Sequence, residues 1–504
     1  MKLRKIIAFA AILLSLNSLA QEPSPQWRPR YHFTAEKNWI NDPNGLIFLN
    51  GEFHLYYQYN PFENKWGHMS WGHATSKDLI NWKHFPVAIP EKIASDTTTM
   101  IFSGSAVLDK ENVSGFGKNG QAPLVAFYTA DLPKQHIESQ YLAYSNDGGL
   151  TFTNYHKNPI IDLNKKDFRD PNVWWHEASK QWIMTVAMVD EHQARFYGSK
   201  NLKDWTVLSD FGPEGNTGNG WECPFIIPLA VDGNPKNIKW VLAISLFGPR
   251  GPMIQYFVGD FDGKNFKNDN PADLTLTVDD GDSFYAAIPW NNVPNGKHIL
   301  LGWLQPGNSK TFPWKGQMSV PRDLSLKTTP EGIRLFQQPT SIIGEKLNSL
   351  SKNRIFAKQN LEIRSELRLD SISNSNWVEA EFDLQHARTV GIKLLQLKDE
   401  KGNVVKEVEI GYHADQQELY VDCSRAEKGM KDEKNLIQKT KIHPVNGKIK
   451  FQILIDKSSL EIFGNGGEKV ITTMVFPEKN ANGIAVFARG NVAQLKNFKV
   501  WNLN

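Results

Sequence analysis

The sequence contains 504 residues with 57 basic and 54 acidic side chains, and its two cysteines, Cys223 and Cys423, permit one disulfide at most. Three of the basic residues lie within the first 20, so the remainder carries no net charge. This balance argues against nucleic acid or an anionic membrane as a partner, and the fold must rely on a large apolar core rather than on disulfides.

The N-terminal residues are typical of a secretory signal. Basic residues precede an apolar run over residues 6–16, and Ser18 and Ala20 suit signal cleavage. That run is too short to span a bilayer, and no later apolar run reaches about 18 residues. We therefore predict a signal peptide over residues 1–20, a mature chain from Gln21, no membrane insertion after cleavage, and a periplasmic or extracellular protein.

The first motif is NWINDPNGL at residues 38–46. Its Asp-Pro step and Asn-Gly pair favour a turn, because Asn and Asp bond their own backbone and Gly accepts a positive φ. Asn41 and the backbone N–H groups of such a turn would keep Asp42 ionised, which suits a nucleophile. Taken alone, however, the motif is fully explained as a structural turn.

Strand patterns dominate the region that follows. An apolar strand, a polar turn and an aromatic residue recur four times, at intervals of 53 to 70 residues, ending at Trp82, Phe152, Trp205 and Phe266. Repeated units of strands and turns are typical of β-propeller blades, which need neighbours to bury their faces. Four such units and one divergent unit predict a five-bladed β-propeller over residues 21–337.

Two further carboxylates stand out, Asp170 in FRDPN and Glu222 in GWECPF. Like Asp42, each lies within two residues of a proline, and we interpret all three as loop residues that converge on the central funnel of the propeller. Two carboxyl groups that flank a glycosidic bond are what its hydrolysis requires. Trp221 and Cys223 give Glu222 an apolar setting, which raises the pKa of a carboxyl and suits a general acid. Arg169 would lower the pKa of Asp170 and keep it anionic, although such a pair also occurs in purely structural roles.

The sequence pattern changes near residue 337. A polar stretch predicts a linker over residues 338–355, and a β-sandwich is predicted over residues 356–504 from short alternating segments without helical periodicity. These segments are 378–385, 391–397, 418–423, 450–456, 459–463, 469–476 and 484–488.

Other chemistries find little support. His32, His54, His68 and His73 belong to no metal-binding motif, and Ser103 is not in a nucleophile elbow. We therefore expect neither a metal nor any other cofactor.

Seven motifs together resemble glycoside hydrolase family 32, the invertase, inulinase and levanase group, and they run in that family's order along nearly the whole mature chain. They are WINDPNG (39–45), QYNP (58–61), WGHATSKDLINW (71–82), FSGSAV (102–107), FRDPN (168–172), ECP (222–224) and SVPRDLSL (319–326).

The resemblance implies an all-β chain with a five-bladed β-propeller followed by a C-terminal β-sandwich, and a retaining mechanism on β-D-fructofuranosyl substrates. It assigns Asp42 as nucleophile, Glu222 as acid/base and Asp170 as transition-state stabiliser. The residues it places around the terminal fructosyl ring are Asn41, Gln58, Trp66, Phe102, Ser103, Arg169 and, as a further candidate, Trp303. Ser283 interrupts the family's pattern between Asp282 and Phe284, so neither Asp282 nor Tyr285 receives a role.

The segment SDTTTMIFSGSAV looks like those of secreted exo-acting fructanases, which release terminal fructose from levan, inulin and sucrose. The partner expected is therefore a fructose-containing oligo- or polysaccharide. An endo-levanase, a narrow invertase and a non-catalytic fructan-binding protein remain alternatives. Loss of a carboxylate would mark the last of these, and all three carboxylates are present. The linkage preference, the oligomeric state and the pairing of Cys223 with Cys423 stay open.

Overall fold

The computed structural model describes residues 24–93, 98–249, 251–307, 309, 311–344, 354–369, 371–426 and 435–503. Strands dominate these residues, and 3-10 helices occur at Pro25–Trp27 and Pro294–Gly296. The predicted signal peptide lies outside the described residues. Within them, no helix has the length and apolar character needed to cross a membrane.

Five mainly antiparallel sheets follow one another along the first two thirds of the chain. The first contains β1 (Asn38–Leu49), β2 (Glu52–Tyr59), β3 (Ser70–Ser76) and β4 (Lys83–Ile89). The second contains β5 (Lys92–Ile93), β6 (Thr98–Leu108), β7 (Leu124–Leu132), β8 (Ile137–Ser145), β9 (Thr153–Asn154) and β10 (Ile161–Lys165). The third contains β11 (Phe168–His176), β12 (Gln181–Met188), β13 (Gln193–Ser199) and β14 (Thr206–Phe211).

The fourth sheet contains β15 (Glu222–Ala230), β16 (Ile238–Gly248), β17 (Gly251–Phe261), β18 (Phe266–Asn268) and β19 (Leu276–Asp279). After β20 (Phe284–Pro289) and β21 (Ile299–Leu304), the short strand β22 (Trp314–Lys315) pairs in parallel with β1 of the first sheet. The fifth sheet consists of β20 and β21 with β23 (Gln317–Met318), β24 (Arg322–Thr329) and β25 (Gly332–Pro339).

The first long strand of each sheet faces a common centre. Strand β1 contacts β6, β6 contacts β11, β11 contacts β15, β15 contacts β20, and β20 returns to β1. We call this closed arrangement over residues 38–339 the N-terminal ring. The fourfold sequence repeat coincides with the geometry of the ring. Each repeat covers the third strand counted outward from the central strand of its sheet, and the turn into the next strand: β3 to β4, β8 to β9, β13 to β14 and β17 to β18.

Two six-stranded sheets make up the C-terminal part. In spatial order, one sheet contains β26 (Arg354–Ile363), β37 (Ala493–Asn502), β28 (Ser375–Asp383), β33 (Lys448–Asp456), β34 (Ser459–Gly464) and β35 (Lys469–Met474). The other contains β27 (Glu366–Arg368), β36 (Gly483–Arg489), β29 (Thr389–Lys398), β30 (Val404–His413), β31 (Glu418–Asp422) and β32 (Ile437–Lys441). Buried aliphatic and aromatic side chains from both sheets form one core, and we call this unit the C-terminal sandwich.

The predicted linker, residues 338–355, overlaps the end of β25 and the start of β26, while residues 345–353 lie outside the described part of the chain. The two cysteines are not joined to each other. Cys423 lies in the core of the C-terminal sandwich, whereas Cys223 lies in the N-terminal ring, beside its centre.

A buried charged network joins the ring to the sandwich. The Arg322 guanidinium lies 2.7 Å from Oε2 of Glu461 and 3.0 Å from Oδ2 of Asp279, and all three side chains are almost completely buried. The His32 ring lies 2.8 Å from Asp456 and 2.9 Å from Glu461. Burial by itself would lower the pKa of His32, but the two carboxylates outweigh burial and raise it to about 9. Two cations therefore offset three carboxyl groups at this interface.

A second contact between the two units involves the segment 279–283, which leads into β20. The backbone N–H of Thr472 on β35 donates to Asp279, and the Thr473 hydroxyl donates to Asp282 over 2.8 Å. A Cβ atom on Gly281 would lie 1.9 Å from the Thr472 carbonyl oxygen, so this close approach requires glycine. The start of β20 is thus held by a strand of the sandwich.

Candidate active site

The central strands of the ring share an irregularity at one end. The pairing register shifts between residues 40 and 43 in β1, 101 and 104 in β6, 169 and 172 in β11, 222 and 225 in β15, and 285 and 288 in β20. Such β-bulges leave a residue unpaired and redirect its side chain, and they are frequent beside active sites. Five bulges at one level therefore build the floor of the site.

This geometry corrects two predictions. Residues 38–49 form one continuous strand rather than a turn, and Asp42, Asp170 and Glu222 lie in strands rather than in loops. The prolines that suggested loops are Pro43, Pro171 and Pro224, which follow the bulged positions. A proline cannot donate to a strand ladder and is tolerated at a bulge, which explains why it resembled a loop signal.

Asp42 is held by two donors. The Ser103 hydroxyl donates to its Oδ2 over 2.6 Å, and the Asn41 amide donates to its Oδ1 over 3.1 Å. Asn41 is in turn fixed by the indole N–H of Trp39, which donates to its Oδ1 over 3.0 Å. These contacts fix the orientation of the carboxylate while leaving it partly exposed at the centre of the ring.

Asp170 and Cys223 meet across two neighbouring central strands. The backbone N–H of Cys223 donates to Asp170 Oδ2 over 2.8 Å, and the Cys223 sulfur lies 3.5 Å from that oxygen and 3.9 Å from Asp42 Oδ2. Both residues adopt a positive φ, 66° for Asp170 and 48° for Cys223. Such backbone is unfavourable for residues with side chains and persists only where surrounding contacts enforce it. The thiol thus lies between the carboxylates of Asp42 and Asp170.

Glu222 occupies a polar setting, which overturns the prediction of an apolar one. The Arg169 Nε atom donates to its Oε1 over 3.1 Å, and the Tyr285 hydroxyl donates to its Oε2 over 2.5 Å. Arg169 also bridges to Glu138 and Asp167 through its Nη1 atom, at 2.6 and 2.9 Å. Glu222 therefore keeps a fixed position between a cation and a phenol.

The remaining predicted residues surround this centre. Gln58 is almost completely buried and donates to the Ile101 carbonyl over 3.0 Å, next to Phe102. Trp66 is 53% exposed and meets Phe102 edge to face, with ring centroids 6.1 Å apart. Trp303 packs against the small cluster of Cys223, Tyr285 and Ala286. All ten predicted site residues thus lie on or beside the bulged ends of the central strands.

Comparison with known protein families identifies the family to which this chain belongs. Residues 32–339 match the model described as glycosyl hydrolases family 32 N-terminal domain, and residues 346–502 match the model of the family 32 C-terminal region. The chain belongs to glycosyl hydrolase family 32. It is therefore a glycosidase, and its two structural units correspond to the two regions of that family.

Characterised family 32 proteins are similar over most of their length. A levanase of Bacillus subtilis is 40% identical over 94% of this chain and 71% of its own length. An extracellular exo-inulinase of Aspergillus awamori is 35% identical, with 90% of each chain covered. The crystal structure of exo-inulinase from Aspergillus awamori superposes with a TM-score of 0.88 at 34% identity, covering 95% of this chain and 98% of that one.

Two contacts of this family 32 site were missed in the sequence. The sequence gives Tyr285 no role, because Ser283 interrupts the family's motif, but in the structure the Tyr285 hydroxyl donates to Glu222. The same segment places Asp282 at the sandwich interface instead, where it accepts from Thr473. The thiol of Cys223 was treated only as an apolar neighbour. The sequence signal that could have pointed to Tyr285 is its place in the segment DDGDSFYAAIPW, which resembles a motif of the family.

The protonation of the site also differs from expectation. Burial raises the pKa of Asp42 to about 6, although the hydrogen bonds from Ser103 and Asn41 lower it. Burial likewise raises the pKa of Asp170 to about 7, against the opposing effect of Arg169 and with the repulsion of Glu222 and Asp42. Arg169 does lower the pKa of Asp170, as predicted, but the prediction that this keeps the pKa low is wrong, because burial outweighs the effect of the guanidinium.

These raised pKa values predict an acid limit for catalysis. Asp170 is expected to act as an anion and a nucleophilic Asp42 must be ionised. We therefore expect kcat/KM to fall as the pH drops through about 7, where Asp170 gains its proton, and to fall further through about 6, the limit set by Asp42. Ser103→Ala removes a donor that favours the ionised form, and should move this limit to higher pH. The pH profile of kcat/KM for both proteins measures the shift. An acid limit near pH 4 in the parent, or no movement in the variant, would contradict the assignment.

A second prediction concerns Tyr285. Tyr285→Phe removes one hydrogen bond to Glu222 and keeps the ring, so we expect kcat to fall about tenfold at unchanged folding stability. The lost contact is the bond from the Tyr285 hydroxyl to Oε2 of Glu222, which helps to hold that carboxyl in place. The control is Tyr128→Phe, whose hydroxyl bonds to Asn154 away from the centre and should leave both kcat and folding stability unchanged. Equal kcat values for the two variants would show that Tyr285 has only a packing role.

The histidines considered as metal ligands have separate partners. His68 pairs with Glu91, His54 with His73, and His32 lies at the sandwich interface. In the part of the chain that the structure describes, no group of three or more His, Cys, Asp or Glu side chains is placed to hold a metal ion.

Proposed function

We propose that this chain hydrolyses terminal β-D-fructofuranosyl units of levan, inulin and sucrose with retention of configuration. The observation that carries the proposal is the meeting of Asp42, Asp170 and Glu222 at one end of the ring, tied together through Cys223 and Arg169. The levanase and exo-inulinase similarities support the fructan substrates, as does a similar β-fructofuranosidase of Schwanniomyces occidentalis, whose structure was determined with fructosyl-erythritol, at 29% identity and a TM-score of 0.84.

The proposed mechanism is a double displacement. Asp42 attacks the anomeric carbon of the fructosyl ring while Glu222 protonates the departing glycosidic oxygen, which yields a covalent fructosyl ester and a free leaving group. Glu222 then accepts a proton from water, which attacks the ester and releases fructose and the Asp42 carboxylate. Asp170, as an anion, accepts hydroxyl groups of the ring and stabilises the positive charge of the transition state. Asn41 and Ser103 hold the nucleophile in line throughout.

Exo action is supported by the relatives named exo-inulinases. Asp170 is only 6% exposed, and the floor beneath it is packed by Pro43, Pro171 and Ile288, so the sugar ring that contacts it enters a recess. We therefore propose exo action rather than an endo-levanase. A non-catalytic fructan-binding protein is disfavoured because the full set of carboxylates is present in catalytic arrangement.

The proposal also covers the fold of the two units and the cellular location of the protein. The closed circuit of five central strands supports a five-bladed β-propeller over residues 21–337, followed by the β-sandwich over residues 356–504. The predicted signal peptide, together with relatives named extracellular exo-inulinases, supports export to the periplasm or beyond.

The deciding experiment is a product profile. Purified protein is incubated with levan, inulin and sucrose in parallel, and early samples are separated by chain length. Free fructose as the first product from polymer and disaccharide supports exo action, whereas early oligosaccharides would show endo action. Activity on sucrose alone would indicate a narrow invertase, and no product from any substrate would indicate a binding protein. In aqueous methanol, retention predicts methyl β-D-fructofuranoside.

A further inference from the structure

A large cavity lies at the end of the ring opposite the carboxylates. It has a volume of about 770 Å³, which is within the range of roughly 300 to 1,000 Å³ found for ligand sites. Five tryptophans line it, namely Trp174, Trp175, Trp182, Trp240 and Trp290. We call it the tryptophan cavity. Neither the proposed chemistry nor the predicted site residues make use of it.

The central strands fix its location. Strands β11, β15 and β20 carry Asp170, Glu222 and Tyr285 near their starts, and β6 carries Ser103 at its middle. Further along, the same strands contribute Val107, Trp174, Ile226 and Pro289 to the cavity wall. Four residues separate Asp170 from Trp174 on β11, which corresponds to about 13 Å at 3.3 Å per residue. The space between the central strands thus has two ends: the candidate active site lies at one end and the tryptophan cavity at the other.

A plug of asparagines separates the two ends. Asn172 lies between them, because it borders both the floor of the active site and the tryptophan cavity. The Asn291 amide crosses this space and donates to the Ala106 carbonyl over 2.9 Å and to the Val173 carbonyl over 3.1 Å. A ligand in the cavity consequently has no direct route to Asp42.

The walls present ordered aromatic surface. Trp175 is 41% exposed, which is unusual for so large an apolar side chain, and its indole N–H donates to Glu177 over 2.7 Å. Trp182 supports it edge to face, with centroids 5.2 Å apart, and Trp174 packs on Trp240 at 5.1 Å. A rigid exposed indole offers contact area at little entropic cost on binding. Such a surface suits the C–H faces of a sugar ring.

The charges at the cavity favour a neutral ligand. Asp109, Glu111 and Glu177 are offset in part by Lys110 and Lys297, so no strong field of one sign is present. Burial lowers the pKa of His298 on the wall to about 4, so that this ring is neutral near pH 7. The exposed Lys110 and Glu111 side chains at the mouth are able to hydrogen-bond hydroxyl groups.

From this geometry we propose that the tryptophan cavity is a second, non-catalytic site that binds a short run of neutral sugar residues of the fructan substrate. The proposal rests on the proposed function for the identity of the sugar. By holding one chain of a branched or bundled polymer at the far end, the site would keep the enzyme near fresh chain ends without touching the reaction. It predicts an effect on polymer binding and none on sucrose turnover.

The test uses full-length protein carrying Asp42→Asn, so that the ligand is not consumed. Isothermal titration with an inulin-type and a levan-type tetrasaccharide should show two sites for at least one of them. Adding Trp175→Ala should remove one site or weaken it at least about tenfold. Adding Trp66→Ala instead, at the other exposed tryptophan, should weaken the remaining site only. A single site in the parent, or two unchanged sites after Trp175→Ala, would overturn the proposal.

A second variant guards against misfolding of the first. Val113 is 41% exposed and lines the cavity at its mouth, and Val113→Trp should obstruct entry while leaving the five wall tryptophans in place. Retardation of this variant in a levan-containing gel should decrease, while its kcat and KM for sucrose should match the parent. Retardation equal to the parent would count against the site. Failure of the product profile on levan, inulin and sucrose would instead refute the proposed function, so the two failures are distinguishable.

Discussion

Asp42→Asn is expected to abolish turnover, with kcat on sucrose reduced about 10⁴-fold or more. The substitution keeps the size of the side chain but removes the nucleophilic oxygen, so no covalent fructosyl intermediate forms. Folding should be unaffected, since the side chain is partly exposed and contacts Asn41, Ser103 and, at 3.9 Å, the Cys223 thiol. Kinetics on sucrose with protein free of contaminating fructosidase, together with a thermal unfolding curve, measures both quantities.

The matched control for this prediction is Ser103→Ala. It removes one charge-assisted hydrogen bond to the nucleophile and should cost roughly 10- to 100-fold in kcat/KM. A nucleophile can also be recognised by rescue, since Asp42→Ala with added azide should yield a fructosyl azide of inverted configuration. Residual activity of a few per cent in Asp42→Asn, or equal losses in the two variants, would refute the nucleophile assignment.

Arg322→Ala is expected to destabilise the protein by about 3 to 5 kcal/mol, the usual cost of removing one partner from a buried charge network. The guanidinium donates to Glu461, Asp279, Gln337 and Thr472. Its removal leaves buried Asp279 without its cation and Glu461 with His32 alone. Urea unfolding followed by tryptophan fluorescence measures the loss. Arg322→Lys should recover only part of it, because an ammonium cannot reproduce the planar, multiple contacts of the guanidinium.

Arg195→Ala provides the surface comparison. Arg195 forms a two-point contact with Asp210 at 2.7 and 2.8 Å, but both side chains are partly exposed. Its removal should cost less than about 1 kcal/mol. Similar losses for Arg322→Ala and Arg195→Ala would mean that the interface network does not stabilise the fold.

The sequence predicted the elements whose signals are local and repeated. The alternating segments such as 391–397 and 459–463 all coincide with strands, and the fourfold repeat coincides with equivalent turns of four sheets. Five strands of the sandwich, β26, β27, β30, β32 and β37, have no counterpart among the predicted segments. In β37, Lys496, Asn497 and Lys499 fall on the outward positions and dilute the apolar signal, although the strand pairs with β26 and β28 on either side.

The structure brings together the three carboxylates that the sequence singled out, but the β-bulges that carry them were not predicted. The motifs identified Asp42, Asp170 and Glu222, but a bulge depends on the register of a partner strand, which a single segment does not contain. The electrostatics was predicted only in part, for a related reason. Arg169 lowers the pKa of Asp170 as expected, but burial outweighs it, and burial depends on which strands the fold packs around Asp170.

The contact of Gly281 with the Thr472 carbonyl has a consequence for engineering. A chimaera that joins the N-terminal ring to a sandwich from another enzyme would have to reproduce that approach, because the contact also positions the segment leading to Tyr285, which bonds to the Glu222 carboxyl. Exchanging the sandwich is therefore expected to lower activity even where both units fold, because strand β35 holds this segment in place.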